Sequence, residues 1–440
     1  MSFPPGPRGR LTNTLALTRH PLDAPPDWLA RYGDPFTVRA VNGDVVMTAD
    51  PVHIKTLFGA DPELFEAFGA HAMAPITGPD SVLILSGPRH RQERRLLMPP
   101  FHGDRMRAYA QLMADAAARR FEAMDRKLPF NVQNVTQGLS LDIILRAVLG
   151  LPLDAVGDFR QRVLDTVDGV SPVMLFFPFL QRGFFGLSPW DRFQTHAHAL
   201  DADLAAHVER VRAAGPSEDI LSLMLAARYE DGEPMTDSAI RDELRTLILA
   251  GHETTALGLA WAMDAIHRHP EVLARVQAEV DTAPDEPTAW AELPYLDAVC
   301  KETLRLYPVL TEVLRTLVRP WHFAGYDLPR GATVSASIHL VHRRPDLYPE
   351  PESFRPERFL EKKFSPFEYI PFGGGHRRCL GAAFAQFEMK VVLAYLLRTY
   401  RFTLESDVAP RPVRRALTLA PEGGVWVRMR PAGLRPAVEA

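Results

Sequence analysis

The stretch best able to do chemistry is Phe372-Gly373-Gly374-Gly375-His376-Arg377-Arg378-Cys379-Leu380-Gly381. A lone cysteine stands on a glycine-rich turn just ahead of an apolar helical run over 382–400. Glycines accept positive φ and let the backbone approach a bulky ligand. The start of the following helix offers free N–H groups and a positive dipole end, which favour a thiolate. A thiolate so placed suits the axial position of a haem iron. A second candidate is Ala250-Gly251-His252-Glu253-Thr254-Thr255-Ala256, a polar patch inside a Leu/Ile/Ala-rich helical run. Burying such a patch is costly unless it has a task. Gly251 would let a flat or diatomic ligand near the backbone. Thr254 can bond the carbonyl of Ala250, four residues back, and open the helix locally. A zinc-protease His-Glu-x-x-His helix is excluded, because Ala256 stands where the second histidine is needed. A third candidate is the pair His90 and Arg94. One helical turn apart, they could clamp two carboxylates.

Residues 372–381 fill every fixed position of Phe-x-x-Gly-x-Arg-x-Cys-x-Gly, and here the chain resembles the cytochrome P-450 family. The patch at 250–255 is similar to that family's Ala-Gly-x-Asp/Glu-Thr-Thr motif. Glu302 and Arg305 resemble its Glu-x-x-Arg helix, and Phe354-Arg355-Pro356-Glu357-Arg358-Phe359 its Pro-Glu-Arg-Phe stretch. These motifs stand in the family's order and spacing.

The resemblance implies a mainly α fold with a smaller β-rich part, and residues 1–440 as one catalytic domain. It implies a haem-thiolate monooxygenase that inserts one atom of O2 into an apolar fatty acid, terpenoid, steroid or macrocycle. The alternatives are a peroxide-driven enzyme of the same fold and a non-catalytic haem sensor or carrier. The cofactor would be haem b with Cys379 as iron ligand. NAD(P)H would act only through a separate ferredoxin and its reductase, or a flavodoxin. His90, Arg94, Arg315 and Arg377 would neutralise the haem propionates, and Phe372 would shield the thiolate. Ala250 and Gly251 would flank the oxygen site, with Thr254 and Glu253 managing protons. Val82, Leu83, Leu249, Leu310 and Leu417 would line the substrate pocket. Glu302, Arg305 and Arg358 would form a buried structural triad. Arg91, Arg95, His376 and Arg378 would present a basic patch to an acidic redox partner.

Several elements must position these groups. Helices are expected over 105–124, 135–149, 236–269 and 293–307, with Thr236 or Asp237 capping the third and Pro270 and Pro308 closing the last two. Residues 36–40 and 44–48 flank Asn42-Gly43 and read as a hairpin. Residues 61–87 read as an irregular loop, and 333–337 alternates like a strand. A tail hairpin is expected around Pro421-Glu422-Gly423-Gly424. The apolar, Gly/Pro-broken stretches 173–180 and 184–187 fall where the family has a mobile lid.

Composition agrees. Hydrophobic residues make up 46% and charged residues 24%, which suits a globular chain with a large core. A net charge of −4 gives no bulk pull toward nucleic acid. With only Cys300 and Cys379, one disulfide at most can form, which argues against a disulfide scaffold, and Cys-ligated iron–sulfur clusters are excluded. No apolar run reaches the ~18 residues of a membrane span, and the N-terminus lacks a signal-peptide core. A cytoplasmic protein of the soluble bacterial kind, without a membrane anchor, is therefore expected. Nothing in the sequence demands more than a monomer.

Overall fold

The computed structural model describes residues 2–433 except 102, 104, 153–154, 171–173, 175–180, 184–185 and 187. The proposed lid therefore lies outside the described residues, apart from Met174 and Gly186.

The longest helix is Asp237–Arg268, and the rest of the helical part packs around it. Thr236 caps it by accepting the Ala239 amide, Asp237 sits in its first turn, and His267 and Arg268 in its last. These charges oppose the helix dipole at both ends. Two glycines interrupt the helix at a propensity cost of about 1 kcal/mol each. At Gly251 a Cβ would come within 2.9 Å of Ile144, on the helix Val132–Leu149. At Gly258 it would come within 3.1 Å of the Met389 sulfur, on Ala382–Thr399. The glycines thus allow neighbouring helices to pack closely. Thr136 adds a bond from Val132–Leu149 to the Ala256 carbonyl, at 3.1 Å.

The main sheet has five strands in the order Phe36–Ala40, Gly43–Thr48, Thr333–Ser337, Glu312–Leu317, Phe65–Ala67. Only the pairing of Gly43–Thr48 with Thr333–Ser337 is parallel. A second sheet joins Phe130–Asn131, Trp426–Pro431 and Tyr400–Leu404. There are two principal cores. One is helical and gathers side chains from Val82 to Met429. The other lies under the main sheet and runs from Phe36 to Ile370. The cysteine loop lies where they meet: Ile370 belongs to the second and Phe372 packs on the first.

Two sequence expectations are corrected. Residues 61–87 are not all loop: they hold the strand Phe65–Ala67 and the helix Ala70–Thr77, with Pro75 inside the latter. Residues 421–424 turn the chain, but Thr418–Pro421 and Trp426–Pro431 belong to different sheets. The tail hairpin is instead Pro412–Arg415 with Thr418–Pro421, its tip at Ala416 and Leu417.

Candidate functional site

The loop before Cys379 is closed by its own backbone: the Cys379 amide donates to the Phe372 carbonyl at 2.9 Å. A Cβ on Gly374 would lie 2.2 Å from the Phe58 ring, and one on Gly375 would lie 2.5 Å from the Phe58 carbonyl oxygen. Only glycine lets this loop close over Phe58, and Gly375 also has φ +65. Cys379 is accessible, yet crowded enough that burial pushes its thiol above the ordinary value. An accessible sulfur in a crowded setting faces an interior space. The Gly381 amide, Arg94 and Arg378 pull the other way, toward the thiolate. Protein alone therefore does not hold the thiolate that the helix start suggested; a bound cation would have to. Cys300 is fully packed in the helical core, where burial pushes its thiol to about 12.

Three arginines and a histidine from three elements surround this loop. His90 and Arg94 come from the helix Gly87–Leu97, Arg315 from the strand Glu312–Leu317, and Arg377 from the loop itself. Burial, then Arg377 and its neighbours, push His90 down to about 3. Burial, then Arg377, lower Arg315 to about 9; burial, then Arg94, lower Arg377 to about 10. No carboxylate pairs with any of the four among the described residues. Arg315 donates only to the adjacent Leu314 carbonyl at 2.8 Å. Arg377 donates to the carbonyls of Leu83 (3.2 Å) and Leu85 and to Ser86, while its buried Nε has no partner. Crowded, unpaired cations are costly unless an anion enters. The set fits a ligand with two carboxylates beside an iron-binding thiol.

The long helix carries its polar patch at mid-length. Ala250 is exposed although the helix around it is buried. The Thr254 hydroxyl donates to the Ala250 carbonyl at 2.8 Å, and the helix runs on unbroken. The room left by Gly251 is filled by Ile144 rather than left for a ligand. Burial raises Glu253 above the usual carboxylate range, and Arg415 at 3.7 Å partly offsets this. Sequence reasoning missed Arg415; it lies at a hairpin tip about 160 residues away, and no local pattern links it to Glu253.

Hydrogen bonds fix the segments that carry the expected pocket residues. Leu83 lies against the cysteine loop through Arg377. The Leu419 amide donates to Val309 at 2.9 Å, and Trp261 donates to Leu419 at 3.2 Å, which ties the tail hairpin and the 309–311 segment to the long helix. Leu83, Leu310 and Leu417 are 44%, 42% and 44% exposed, so these segments present bare apolar side chains. Val82 is buried in the helical core, and Leu249 packs against the cluster of Ile76, Met174, Trp190, Phe193 and Ala197.

The family model for cytochrome P-450 matches residues 4–427. The chain belongs to the cytochrome P-450 family. Cytochrome P-450 135B1 of Mycobacterium tuberculosis is 38% identical, over 98% of this chain and 92% of that one. Cytochrome P-450 138 of the same species is 35% identical, over 97% of this chain and 96% of that one. The solved structure of retinoic acid-bound cyanobacterial CYP120A1 superposes with a TM-score of 0.86 at 25% identity. It covers 98% of this chain and 100% of that one. As a member of this family the chain is a haem-thiolate monooxygenase that uses O2. Among the described residues no helix is long and apolar enough to cross a membrane.

Glu302, Arg305 and Arg358 meet in the interior of this P-450. Arg305 binds both Glu302 oxygens, at 2.7 and 2.9 Å, and Arg358 binds one at 3.0 Å. The arginines also satisfy the carbonyls of His342, Pro349, Pro351 and Ser353. The basic patch is weaker than the sequence suggests. Arg91 and Arg95 pair with Glu63 and Glu230. His376 stacks edge-on to His90 and is pushed to about 4 by burial and the surrounding arginines, so it is uncharged. Arg378 remains exposed and without an ion pair among the described residues.

Proposed function

We propose that this P-450 binds haem b through Cys379 and oxidises an apolar organic molecule. The observation that carries the site assignment is the group of three arginines and a neutral His90, unmatched by any carboxylate among the described residues, around the one accessible cysteine. His90, Arg94, Arg315 and Arg377 would hold the two propionates by charge-assisted hydrogen bonds. Phe372, packed on the helical core, would keep water from the thiolate. When bound, the haem supplies the activation of O2 and the insertion of one oxygen atom. The chain's own residues manage protons. Thr254 commits its hydroxyl proton to Ala250, which leaves its oxygen lone pairs free to hold a water. Glu253 carries protons from the solvent beside the half-exposed Arg415 to that water. Glu302, Arg305 and Arg358 act as a structural tie.

The pocket would take an apolar substrate, and the bare side chains of Leu83, Leu310 and Leu417 support that reading. Electrons come from a separate ferredoxin–reductase pair or flavodoxin, docked near Arg378, with NAD(P)H as the indirect source. The whole chain then acts as a single catalytic unit in the cytoplasm. A peroxide-driven enzyme would not need Glu253 and Thr254 together, and a sensor would need neither. The test is a Soret titration of the ferric protein with fatty acids, sesquiterpenes, steroids and retinoic acid, followed by O2 uptake with a surrogate ferredoxin pair. A saturable shift to high spin and coupled O2 uptake are expected. Turnover with peroxide alone would overturn the monooxygenase reading.

A further inference from the structure

The loop 78–86 carries Val82 and Leu83, and also offers the Leu83 and Leu85 carbonyls that Arg377 binds. It has little regular structure of its own. What holds it is one face of the long helix, at positions 238, 242, 243 and 246. Ser238 donates to Asp80 at 2.9 Å, and the Asp80 amide donates to Asp242 at 3.0 Å. The Asp242 carboxylate also fills the space of a Gly78 side chain: a Cβ there would lie 2.0 Å from its carbon. Thr246 donates to Ser81 at 2.7 Å. At the centre, Glu243 accepts the Val82 amide at 2.7 Å and is fully buried.

The environment of Glu243 is unusual. No cation pairs with it among the described residues, whereas the carboxyls of Asp80, Glu93 and Asp242 all oppose its ionisation. Glu93 comes from the helix Gly87–Leu97, which also carries His90 and Arg94. One Glu93 oxygen accepts from Tyr229 at 2.5 Å; the other is buried with no partner, as is the second oxygen of Glu243. Arg89 and Arg241 answer Asp80 and Asp242 respectively, not Glu243. A proton kept on Glu243 removes a charge that nothing there neutralises and gives its second oxygen a donor.

We infer that Glu243 is the positioning residue of loop 78–86, setting both the pocket face at Val82–Leu83 and the carbonyls that orient Arg377. It works as a neutral carboxyl. Its acceptor oxygen takes the Val82 amide, and its proton sits on the second oxygen, which has no hydrogen-bond partner among the described residues. The functional half of this inference rests on the pocket and propionate roles proposed above; the loop-anchoring half does not.

The test is hydrogen exchange of the holoprotein, followed over residues 78–86 and normalised to intrinsic rates, with binding of 4-phenylimidazole read at the Soret band. Glu243→Leu should speed loop exchange by about tenfold, the worth of one buried hydrogen bond, and weaken 4-phenylimidazole several-fold. Glu243→Gln, which keeps an acceptor and a neutral donor, should stay within about twofold of the parent in both. Parent-like loop exchange in Glu243→Leu would overturn the inference. So would a Gln variant as loose as the Leu variant, since that would mean a charge is required. If Glu243→Leu does not fold, the Gln variant decides. Burial pushes Glu243 to about 9, so raising the pH from about 7 to about 10 should loosen the parent loop but not that of Glu243→Gln. Equal loosening of both would overturn the inference. Exchange is read on the backbone, so this outcome is separate from whether the haem reading holds.

Discussion

In the proposed mechanism Glu253 and Thr254 divide the handling of protons, and their surroundings make that division testable. Thr254→Ala should keep the haem spectrum but release hydrogen peroxide in place of product, because no hydroxyl remains to hold the water. Product per NAD(P)H should fall several-fold, and unchanged coupling would remove Thr254 from the account. Glu253→Gln should slow turnover by about two orders of magnitude, the usual worth of a positioned proton carrier. Arg415 lowers the Glu253 pKa against the effect of burial. Arg415→Ala should therefore move the Glu253 limb of the pH–rate profile upward, and a profile that stays in place would separate the two residues. At this scale the sequence pointed to the family through contiguous patterns, as at 250–255 and 372–381. It was silent on Arg415 and Glu243. Arg241-Asp242-Glu243 reads as an ordinary charged helix start, and only the fold turns Glu243 inward onto Val82.

Among the elements, the long helix and the cysteine loop were legible because caps, prolines and apolar runs mark their limits. Ala70–Thr77 was not, since Pro75 and two flanking glycines mimic a loop. The tail was misread for a related reason. Gly423-Gly424 is a strong turn signal, but a turn does not say which strands it joins, and the strands on either side enter different sheets. The Glu302–Arg305–Arg358 tie joins the helix Pro294–Leu306 to the short helix Arg358–Glu361. Glu302→Ala would leave two buried guanidiniums without their carboxylate. A loss of about 3–5 kcal/mol is expected, read as poor accumulation or a sharply lowered unfolding midpoint. A variant with parent stability would show that backbone carbonyls alone suffice for these arginines.

Across the whole molecule, buried titratable groups set a pH window for stability. Glu388 and Glu243 are pushed by burial to about 8 and about 9, from an ordinary 4.5. They stay protonated in the fold after ionising in the unfolded chain. Stability therefore falls as pH rises from about 4.5 through those values. Burial lowers His339 from 6.5 to about 3 and His342 well below its ordinary value. Those groups remove stability as pH falls below about 6.5. The unfolding midpoint should peak between about pH 5 and 6.5 and decline toward pH 9. Glu388→Gln should flatten the alkaline decline; an unchanged slope would take Glu388 out of it. If a redox partner docks at Arg378 as proposed, Arg378→Glu should slow reduction by an acidic ferredoxin more than it slows reduction by dithionite.

All of this depends on which cysteine meets the iron. The most direct measurement is the absorption spectrum of the reduced, CO-bound protein, compared with its Cys379→Ala and Cys300→Ala variants. The parent and Cys300→Ala should show the red-shifted Soret band of a thiolate-ligated haem, and Cys379→Ala should lack it. A red-shifted band that survives in Cys379→Ala, or is missing from the parent, would contradict the site described above.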